Sequence, residues 1–477
     1  MHNPRPAAGA GRGPLPRRAV SGAPRGRRRV GKLRKVLSLA LRFRAKYGRL
    51  KKSQAGARRR KAGEPLPVNN PTAAVPSDLK FSNRAQILAA FRDGGAFTAN
   101  DVAASVGLSR QTVMKAIQFF LEKGILCSEG KAGSSAAGGK RPELFTLSSS
   151  RRFLCIDVWP FALNFSLMDF KGRLVDAITL RQSLPADVEQ AMAMVGRLAD
   201  DLLSRCRVPL DALSGVCLST SGIVDYRTNT LRFSSISPSW GANIPVEKLL
   251  RPYFGPDTAI VVENVAKVTA RSLLRDPELR EKRVLTVFSA WGLSGCLIDR
   301  GRILNGGNSL IGEIGHMILD PEDDERCGCG SRGCFERLVG AERLRKRAAA
   351  AAGEFPGSAL RGLPPGELTA KRLFDLSAAG DEGARAVVAE LARLFAMAVR
   401  NVTLVFDPEE VVFQGDFAEA DDWFVERFRA CLGEFQYYPA GGPFRLRLDA
   451  RPLAELSRAG ACTILLDRFF GETELYE

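Results

Sequence analysis

The sequence predicts an α/β protein that carries a winged helix–turn–helix module ahead of its main body. After about residue 151, short apolar runs typical of strands alternate with helical stretches such as AELARLFAMAVRNVTLVF, and this alternation favours an α/β architecture. Before that point, two short helical patterns are separated by a single glycine. The chain has 477 residues, 45% of them hydrophobic, which is enough for two or three domains. We predict three segments: 1–79, 80–150 and 151–477.

The first segment holds the basic charge of the protein. Residues 1–79 contain 21 Lys and Arg residues against two acids, a net charge of +19, which leaves the other 398 residues at −1 of the total +18. Rich in Arg, Gly, Pro and Ala, the segment has too little apolar surface to offset the entropy of ordering, so we predict a disordered tail. Two alternatives stay open: an extension from a misassigned start codon, and a basic amphipathic arm over VGKLRKVLSLALRFRAKYGRLKK that contacts DNA or a membrane surface.

The cysteines and the hydropathy pattern predict in which cellular compartment the protein is found. Most of the ten cysteines stand alone in apolar runs such as SGVCLST, without the pairing expected of a disulfide framework, which favours a reducing cytoplasm. The best apolar stretch of the tail, VLSLAL, is too short for a secretory signal. Because no run of 18 uncharged apolar residues occurs, we expect no membrane span and place the protein in the cytoplasm, at the nucleoid.

Three helical patterns follow the tail. The first, in FSNRAQILAAFRDGG, has one apolar face and ends at two glycines. Thr98 or Asn100 can cap a second, short helix that ends at the turn residue Gly107. Ser109 can cap a third helix. The predicted apolar face of this third helix consists of Val113, Ile117, Phe120 and Leu121. The strand patterns CSEG and LFTL then flank KAGSSAAGGKRPE, a Gly-rich basic hairpin suited to a wing.

The polar face of the third helix predicts contact with double-stranded DNA. In a helix–turn–helix, Arg can fork onto a guanine edge and Gln onto adenine, while Lys reaches phosphate. The residues predicted to contact DNA are Ser109, Arg110, Gln111, Thr112 and Lys115 on the helix, with Lys140 and Arg141 on the wing. The alternative is a solvated helix face in a protein-interaction module. Because one such module binds only a half-site of an operator, we expect a homodimer or homotetramer.

A metal site is predicted from GEIGHMILDPEDDERCGCGSRGCFERL, residues 312–338. His316 lies eleven residues before Cys327, and Cys329 and Cys334 follow. Three thiolates and one imidazole fill a tetrahedral zinc shell and leave no position for a reactive water. A structural zinc ion is therefore predicted, and the alternative is a loop of unligated thiols beside a buried histidine.

The same stretch strongly resembles the signature of the ROK family (repressors, open reading frames and sugar kinases). GEIGH followed by CxCGxxGCxE carries the resemblance, which extends over residues 80–475 and includes VENV at 262–265, LVFDPEEVVFQGD at 404–416 and LTAKRLFDLSAAGDEGA at 368–384. It implies a two-lobed, actin-like sugar-kinase fold of the ribonuclease H-like type, with sugar bound in the cleft. A winged helix ahead of the signature is similar to the repressor branch of the family.

The resemblance also indicates where this chain departs from a kinase. Family kinases need Asp in an Asn-Asp pair as the general base, whereas this chain has Asn264-Val265. The first phosphate loop, Asp-x-Gly-x-Thr in the family, has Trp159 and Pro160, and the second, Gly-Thr-Gly-x-Gly-Gly, has Trp291. Near the adenosine, Gln precedes Gly415 where two glycines are common. These departures predict a protein that is not an enzyme; the alternative is an active kinase with an accessory DNA-binding head.

The sugar-binding groups of the family remain. They map to Asn264, Glu313, His316 and Glu336. One ring nitrogen of the histidine would bind zinc and the other a sugar hydroxyl, which would couple loop order to ligand occupancy. Ser309 and Ile311 stand where the family often has Gly and Ala. We therefore predict a transcriptional regulator, a repressor, that senses a sugar or sugar derivative. The alternatives are a ligand-independent repressor, whose Glu313 and Glu336 are ordinary carboxylates, and a regulator controlled by a protein partner.

Overall fold

A small module of three helices and a three-stranded sheet precedes the main body. The computed structural model describes residues 76–92, 94–133, 141–159, 161–234, 237–364, 366–434 and 443–472. The elements of the module are α1 (Pro76–Ala89), β1 (Phe97–Thr98), α2 (Ala99–Val106), α3 (Arg110–Glu122), β2 (Leu126–Lys131) and β3 (Glu143–Leu147). The antiparallel strands are ordered β1-β3-β2. Helix α1 begins four residues before the predicted start of this segment at residue 80.

The short polar residues around α2 and α3 fix where these helices begin and end. Of the two predicted caps for α2, Thr98 is the one used: its side chain accepts a hydrogen bond from the Asp101 N–H, and the Asp101 carboxylate accepts one from the Thr98 N–H at 2.9 Å. Gly107 ends this helix with φ +68°. The Ser109 side chain then caps α3 by accepting from the Thr112 N–H at 3.2 Å. Local side chains therefore set the turn between the two helices.

The first lobe of the body is a mixed sheet with a helix packed on its face. Its strands are β4 (Arg152–Trp159), β5 (Ala162–Asp169), β6 (Leu174–Leu180), β7 (Leu213–Thr220) and β10 (Ala259–Asn264), ordered β10-β7-β4-β5-β6. A hairpin of β8 (Ile223–Asp225) and β9 (Thr230–Phe233), with helices α4 (Val188–Arg205) and α5 (Val246–Leu250), completes it. Strands β4, β5 and β6 are antiparallel, whereas β7 and β10 are parallel to β4. The apolar face of α4 packs on this sheet.

The second lobe repeats this arrangement. Helices α6 (Val265–Arg271) and α7 (Pro277–Arg280) lead into the strands β11 (Arg283–Ser289), β12 (Leu293–Asp299), β13 (Arg302–Ile303), β14 (Glu410–Gly415) and β15 (Arg445–Asp449). The order β15-β14-β11-β12-β13 matches that of the first lobe, with three antiparallel strands and then two parallel ones. Five helices cover this sheet within the described residues: α8 (Phe335–Val339), α9 (Ala341–Glu354), α10 (Ala370–Ala378), α11 (Glu382–Phe406) and α12 (Asp422–Gly433).

Helix α13 (Leu453–Gly471) connects the module to the first lobe. Its buried residues pack in one continuous apolar cluster with the module and with β4, β5 and β7. The Phe170 and Phe469 rings meet edge to face with centroids 5.1 Å apart. Arg92, just after α1, forms an ion pair with Asp467 at 2.8 Å. All described residues thus belong to one compact unit. Among their helices, none is both long and apolar enough to cross a membrane.

Candidate metal centre, ligand cleft and DNA-facing helix

His316 and three cysteines come together in the second lobe. Their donor atoms all lie within 4.8 Å of one another. The His316 Nδ1 is 3.6 Å from the Cys327 Sγ, and the Cys329 Sγ is 3.6 Å from the Cys334 Sγ. Cys327 and Cys334 are buried, whereas Cys329 is exposed. The four predicted ligands therefore form one compact donor set.

The spacing of these donors fits a tetrahedral ion. Zinc–thiolate bonds of about 2.3 Å and a zinc–imidazole bond of about 2.05 Å give tetrahedral edges of about 3.8 Å between sulfurs and about 3.6 Å between nitrogen and sulfur. The observed separations of 3.6 Å are close to both edges. Burial raises the pKa of the Cys327 and Cys334 thiols, so a bound metal has to displace protons from them.

The loop around the cysteines is held by its own backbone. Gly333 has φ +67°, and a Cβ at this position would lie 1.7 Å from the Asp320 carbonyl oxygen, so only glycine fits. The Leu319 N–H donates to the Gly333 carbonyl at 2.8 Å, and the Phe335 N–H donates to the Met317 carbonyl at 2.9 Å. These bonds bring the end of the loop back beside its start. The cysteines are thereby placed next to His316.

The second ring nitrogen of His316 faces a carboxylate. His316 Nε2 lies 3.8 Å from Glu313 Oε2, on the opposite side of the ring from the thiols. Burial raises the pKa of the Glu313 carboxyl and Glu336 raises it further, whereas His316 and Lys267 lower it. Three of the four predicted sugar-binding residues, Glu313, His316 and Glu336, therefore lie close together, since the Glu336 side chain also lies beside Gly315.

Asn264, the fourth predicted sugar-binding residue, is engaged by the backbone. Its Oδ1 accepts from the Ala266 N–H at 2.8 Å and so caps α6, and its Nδ2 donates to the Gly222 carbonyl at 2.8 Å. The residue is 8% exposed. One amide hydrogen and one lone pair of this side chain remain beyond these two bonds.

Glu336 also has a structural partner. Its Oε2 accepts from the Leu293 N–H at 2.8 Å, and it lies beside Gly292. This bond ties the start of α8 to the turn between β11 and β12, which contains Trp291. The second carboxylate oxygen stays available for another donor.

The sequence analysis missed a buried ion pair next to these groups. Lys267 and Glu263 are 4% and 5% exposed, their charged atoms are 4.0 Å apart, and Lys267 Nζ donates to Asn305 Oδ1 at 2.9 Å. Burial raises the pKa of the Glu263 carboxyl. The spacing Glu263–Lys267 at i, i+4 was a readable signal, but the residues span the end of β10 and the start of α6. Their burial depends on the packing of both lobes.

Two tryptophans join the lobes where the resemblance places the phosphate loops. Trp159 ends β4 in the first lobe and is buried, and Trp291 follows β11 in the second lobe and is 52% exposed. Their ring centroids are 4.6 Å apart with an interplanar angle of 41°. The contact is within the range of favourable aromatic pairs. Pro160, the other bulky residue of the first loop, lies outside the described residues.

Asp157 is buried two residues before this ring pair. The Ser457 hydroxyl of α13 donates a hydrogen bond to its carboxylate, and Cys155 lies nearby. Burial raises the pKa of Asp157 to about 6, although bonds from Ser457, Ser219 and Cys155 oppose the shift. The carboxylate is thus buried with only these few polar partners, two residues before Trp159 in β4.

The predicted DNA-contacting residues of α3 share its solvent-facing side. Arg110, Gln111 and Lys115 are exposed, while Val113, Ile117 and Phe120 are buried on the opposite side. Leu121, predicted for the apolar face, is half-buried. The hydroxyls of Ser109 and Thr112 are 2.9 Å apart at the start of the helix. Arg141 is exposed ahead of β3. Lys140 lies outside the described residues.

Comparison with known proteins finds both regulators and kinases. Residues 153–455 match the model of the ROK family. The chain is 20% identical over 361 residues to the xylose repressor of Caldicellulosiruptor bescii, covering 75% of this chain and 88% of that protein. It is 26% identical over 281 residues to a glucokinase of Halalkalibacterium halodurans, covering 57% of this chain and 83% of that protein. The kinase match therefore covers a smaller share of the chain.

Among solved structures, too, a regulator matches a larger share of this chain than a kinase does. A ROK family transcriptional regulator, a homologue of the E. coli MLC protein, is similar with a TM-score of 0.71 and 17% identity, and the match covers 84% of this chain and all of that one. A ROK family glucokinase from Streptomyces griseus, in complex with glucose and AMPPNP, has a TM-score of 0.53 and 21% identity over 66% of this chain and 98% of that one. At these identities the likeness establishes the fold alone.

Proposed function

The chain belongs to the ROK family, and from that premise we propose that it is a DNA-binding transcriptional repressor whose kinase-like body senses a sugar or sugar derivative without phosphorylating it. The observation that carries this proposal is the contact between Trp159 and Trp291. Two indole rings stand where a kinase of this fold keeps small residues for the phosphates of its nucleotide. The absent carboxylate at Val265 removes the general base as well.

The module of residues 76–147 supports the DNA-binding half of the proposal. It has the order of a winged helix–turn–helix, with α2 and α3 joined at Gly107 and followed by the β2–β3 hairpin. Arg110, Gln111 and Lys115 stand on one exposed side of α3, which is the side that enters a major groove in such folds. We propose that an operator half-site binds here and that subunits pair to bind a whole operator.

The group around His316 supports the sensing half. Glu313, Glu336 and the second nitrogen of His316 are polar groups that converge at partial burial, as hydroxyl-binding sites require. We propose that the four-donor cluster holds a structural zinc ion, which would fix the ring of His316 and thereby its free nitrogen. Sugar would bind one arrangement of the lobes better than the other and so change operator affinity.

DNA binding is tested with an operator selected from random duplexes by the full-length protein. The Arg110→Ala variant should weaken specific binding by about 1–3 kcal/mol, measured by fluorescence anisotropy at fixed salt. Arg372→Ala is the matched control, because this exposed arginine lies on α10 of the second lobe. If wild type and Arg110→Ala bind the operator equally, the assignment of this side chain is wrong.

Sugar sensing is tested by titration calorimetry against monosaccharides and their phosphates. Binding should be lost in Glu313→Gln, and operator affinity should change at saturating ligand. No heat from any sugar would contradict the sensor and favour a repressor without a sugar ligand or one controlled by a protein partner. The kinase alternative is tested with the same sugars by ADP release, for which the proposal expects none above background.

A further inference from the structure

We propose that a basic cavity beside the N-terminal module, here called the junction cavity, binds a small organic phosphate. The cavity has a volume of about 470 Å³, within the range of small-molecule sites. It lies apart from the residues around His316. Its basic lining residues are Arg92, Lys171, Arg275, Arg280, Arg300 and Arg302.

The charge of this cavity contrasts with that of the chain around it. Six cationic side chains line it against two acids, Glu281 and Asp467, although residues 80–477 carry a net charge of only −1. Asp467 is already paired with Arg92 at 2.8 Å and with Arg271 at 3.4 Å. Like charges held this close repel, so a bound anion would stabilise the arrangement.

Several of these cations have weak acidic partners or none. Lys171 lies 3.5 Å from Glu129, and Arg300 lies 3.8 Å from Asp299. Arg275 and Arg302 are exposed and form no ion pair with a carboxylate within the described part of the chain. The Arg302 guanidinium is thus available to an incoming anion, and the Arg275 guanidinium, which lies beside the Cys462 thiol, has further N–H groups beyond that contact. Guanidinium groups bind phosphate through two parallel hydrogen bonds.

A tight hairpin presents two of the arginines. Arg300 and Gly301 form the two-residue turn between β12 and β13, with φ of 45° and 78°, and Asp299 pairs with Arg302 across it. Such turns favour Asn or Gly at the first position, so an arginine there is conformationally costly. The Arg300 N–H donates to the Lys282 carbonyl at 3.0 Å, which holds the turn. The backbone of this hairpin is therefore tied to the body at the rim of the cavity.

The remaining lining indicates an organic ligand rather than a bare ion. Pro277 is exposed among the cations, and small parts of Leu274 and Leu466 reach the surface there, so a carbon skeleton can pack against them. Arg92 and Gly94 belong to the segment after α1, whereas the other lining residues belong to the body. A ligand with one or two phosphate groups would therefore contact both and hold the module on the body.

The experiment is titration calorimetry of the full-length protein at constant ionic strength. The probes are inorganic pyrophosphate and fructose 1,6-bisphosphate. We expect both to bind wild type, and the Arg275→Gln/Arg302→Gln double variant to bind at least about tenfold more weakly, since two charge-assisted contacts are lost. Both side chains are exposed, so the melting temperature should not change.

Two controls locate the binding. Arg372→Gln, at an exposed arginine of the second lobe, should bind both probes as wild type does. Glu313→Gln should bind pyrophosphate as wild type does, because pyrophosphate has no sugar hydroxyl for the sugar site to bind. This result separates the junction cavity from the sugar site and keeps the outcome independent of the proposed function. Absence of binding to wild type, or equal affinity in the double variant, would overturn the proposal. So would a double variant that loses affinity only for duplex DNA, because the cavity would then contact the DNA backbone.

Discussion

The two sides of the region between the lobes carry different kinds of side chain: polar and metal-binding groups on one side, and aromatic rings on the other. On one side, His316 and the three cysteines form a compact donor set, and Glu313 and Glu336 stand next to it. On the other side, the Trp159 and Trp291 rings are in contact where the family resemblance places the phosphate loops. The side predicted to bind sugar hydroxyls has polar groups, while the side that the family resemblance assigns to the nucleotide phosphates has two indole rings. Under the proposed function, this difference would separate ligand binding from phosphoryl transfer within one fold.

The largest effect is expected on the metal side. Cys334→Ser should abolish zinc binding and lower the free energy of unfolding by more than about 3 kcal/mol, because the loop loses a ligand that couples metal binding to folding. Zinc content by mass spectrometry and urea denaturation measure both effects. Cys431→Ser, at a half-buried cysteine outside the cluster, is the control. If Cys334→Ser still binds one zinc ion per chain and is as stable as wild type, the assignment of Cys334 as a zinc ligand is wrong.

The next effect concerns the buried carboxylate of Asp157. Burial raises the pKa of Asp157 to about 6 from its ordinary 3.8. Between pH 3.8 and pH 6 the carboxyl is therefore protonated in the folded protein and ionised in the unfolded chain. Its ionisation therefore lowers stability as pH rises from about 4 to 6. Asp157→Asn should stabilise the fold at pH 7.5 by up to about 3 kcal/mol, and this gain should vanish below pH 4.

Urea denaturation across that pH range checks the prediction. Asp200→Asn, at an exposed carboxylate on α4, serves as the control and should have little effect. A stability difference between Asp157→Asn and wild type that stays constant from pH 4 to pH 7.5 would show that the carboxylate does not titrate as described.

A smaller effect is expected from the ring pair itself. Trp291→Ala should lower the free energy of unfolding by about 1 kcal/mol, because one aromatic contact and the burial that goes with it are lost. The fluorescence of Trp159 should shift as its neighbour disappears. Phe161→Ala removes an exposed ring from the same region and should change stability less. Identical emission spectra in Trp291→Ala and wild type, after subtraction of one tryptophan, would exclude the contact in solution.

The smallest effect is expected from Val265→Asp, which should not change kinase activity. Val265→Asp restores the general base of the family, yet ADP release with glucose should stay at background because the rings still occupy the phosphate side. Val265→Asn matches the size of the new residue without its charge. Turnover by Val265→Asp would show that the missing base alone separates this protein from a kinase. Turnover by wild type would overturn the comparison entirely.

Short-range patterns predicted much of this structure. The ligands around Gly333, the cap at Thr98 and the buried side of α3 each depend on residues within about twenty positions of one another. The two-lobed fold followed from the resemblance and is confirmed by the family match. The repeated strand order of the two sheets also shows that the body consists of two half-domains with the same topology.

Features that depend on distant packing were not predicted. Strand β6 alternates between exposed and half-buried residues, and β15, with the sequence RLRLD, lies at a sheet edge, so neither shows the continuous apolar run of a central strand. The contact between Trp159 and Trp291 joins residues 132 positions apart. The burial of Lys267 depends on both lobes. None of these features can be predicted from the sequence pattern of neighbouring residues.

Helix α13 determines when the first part of the chain can finish folding during synthesis. It follows every other described element along the chain, yet the module near the start completes its apolar core against it, through Phe469 and Phe470. On the ribosome, Phe153 and Phe170 emerge roughly three hundred residues before their partners in this helix, which at typical elongation rates is tens of seconds. Throughout that interval these rings lack the partners that bury them in the finished fold. The module can therefore complete its apolar core only after α13 has been translated.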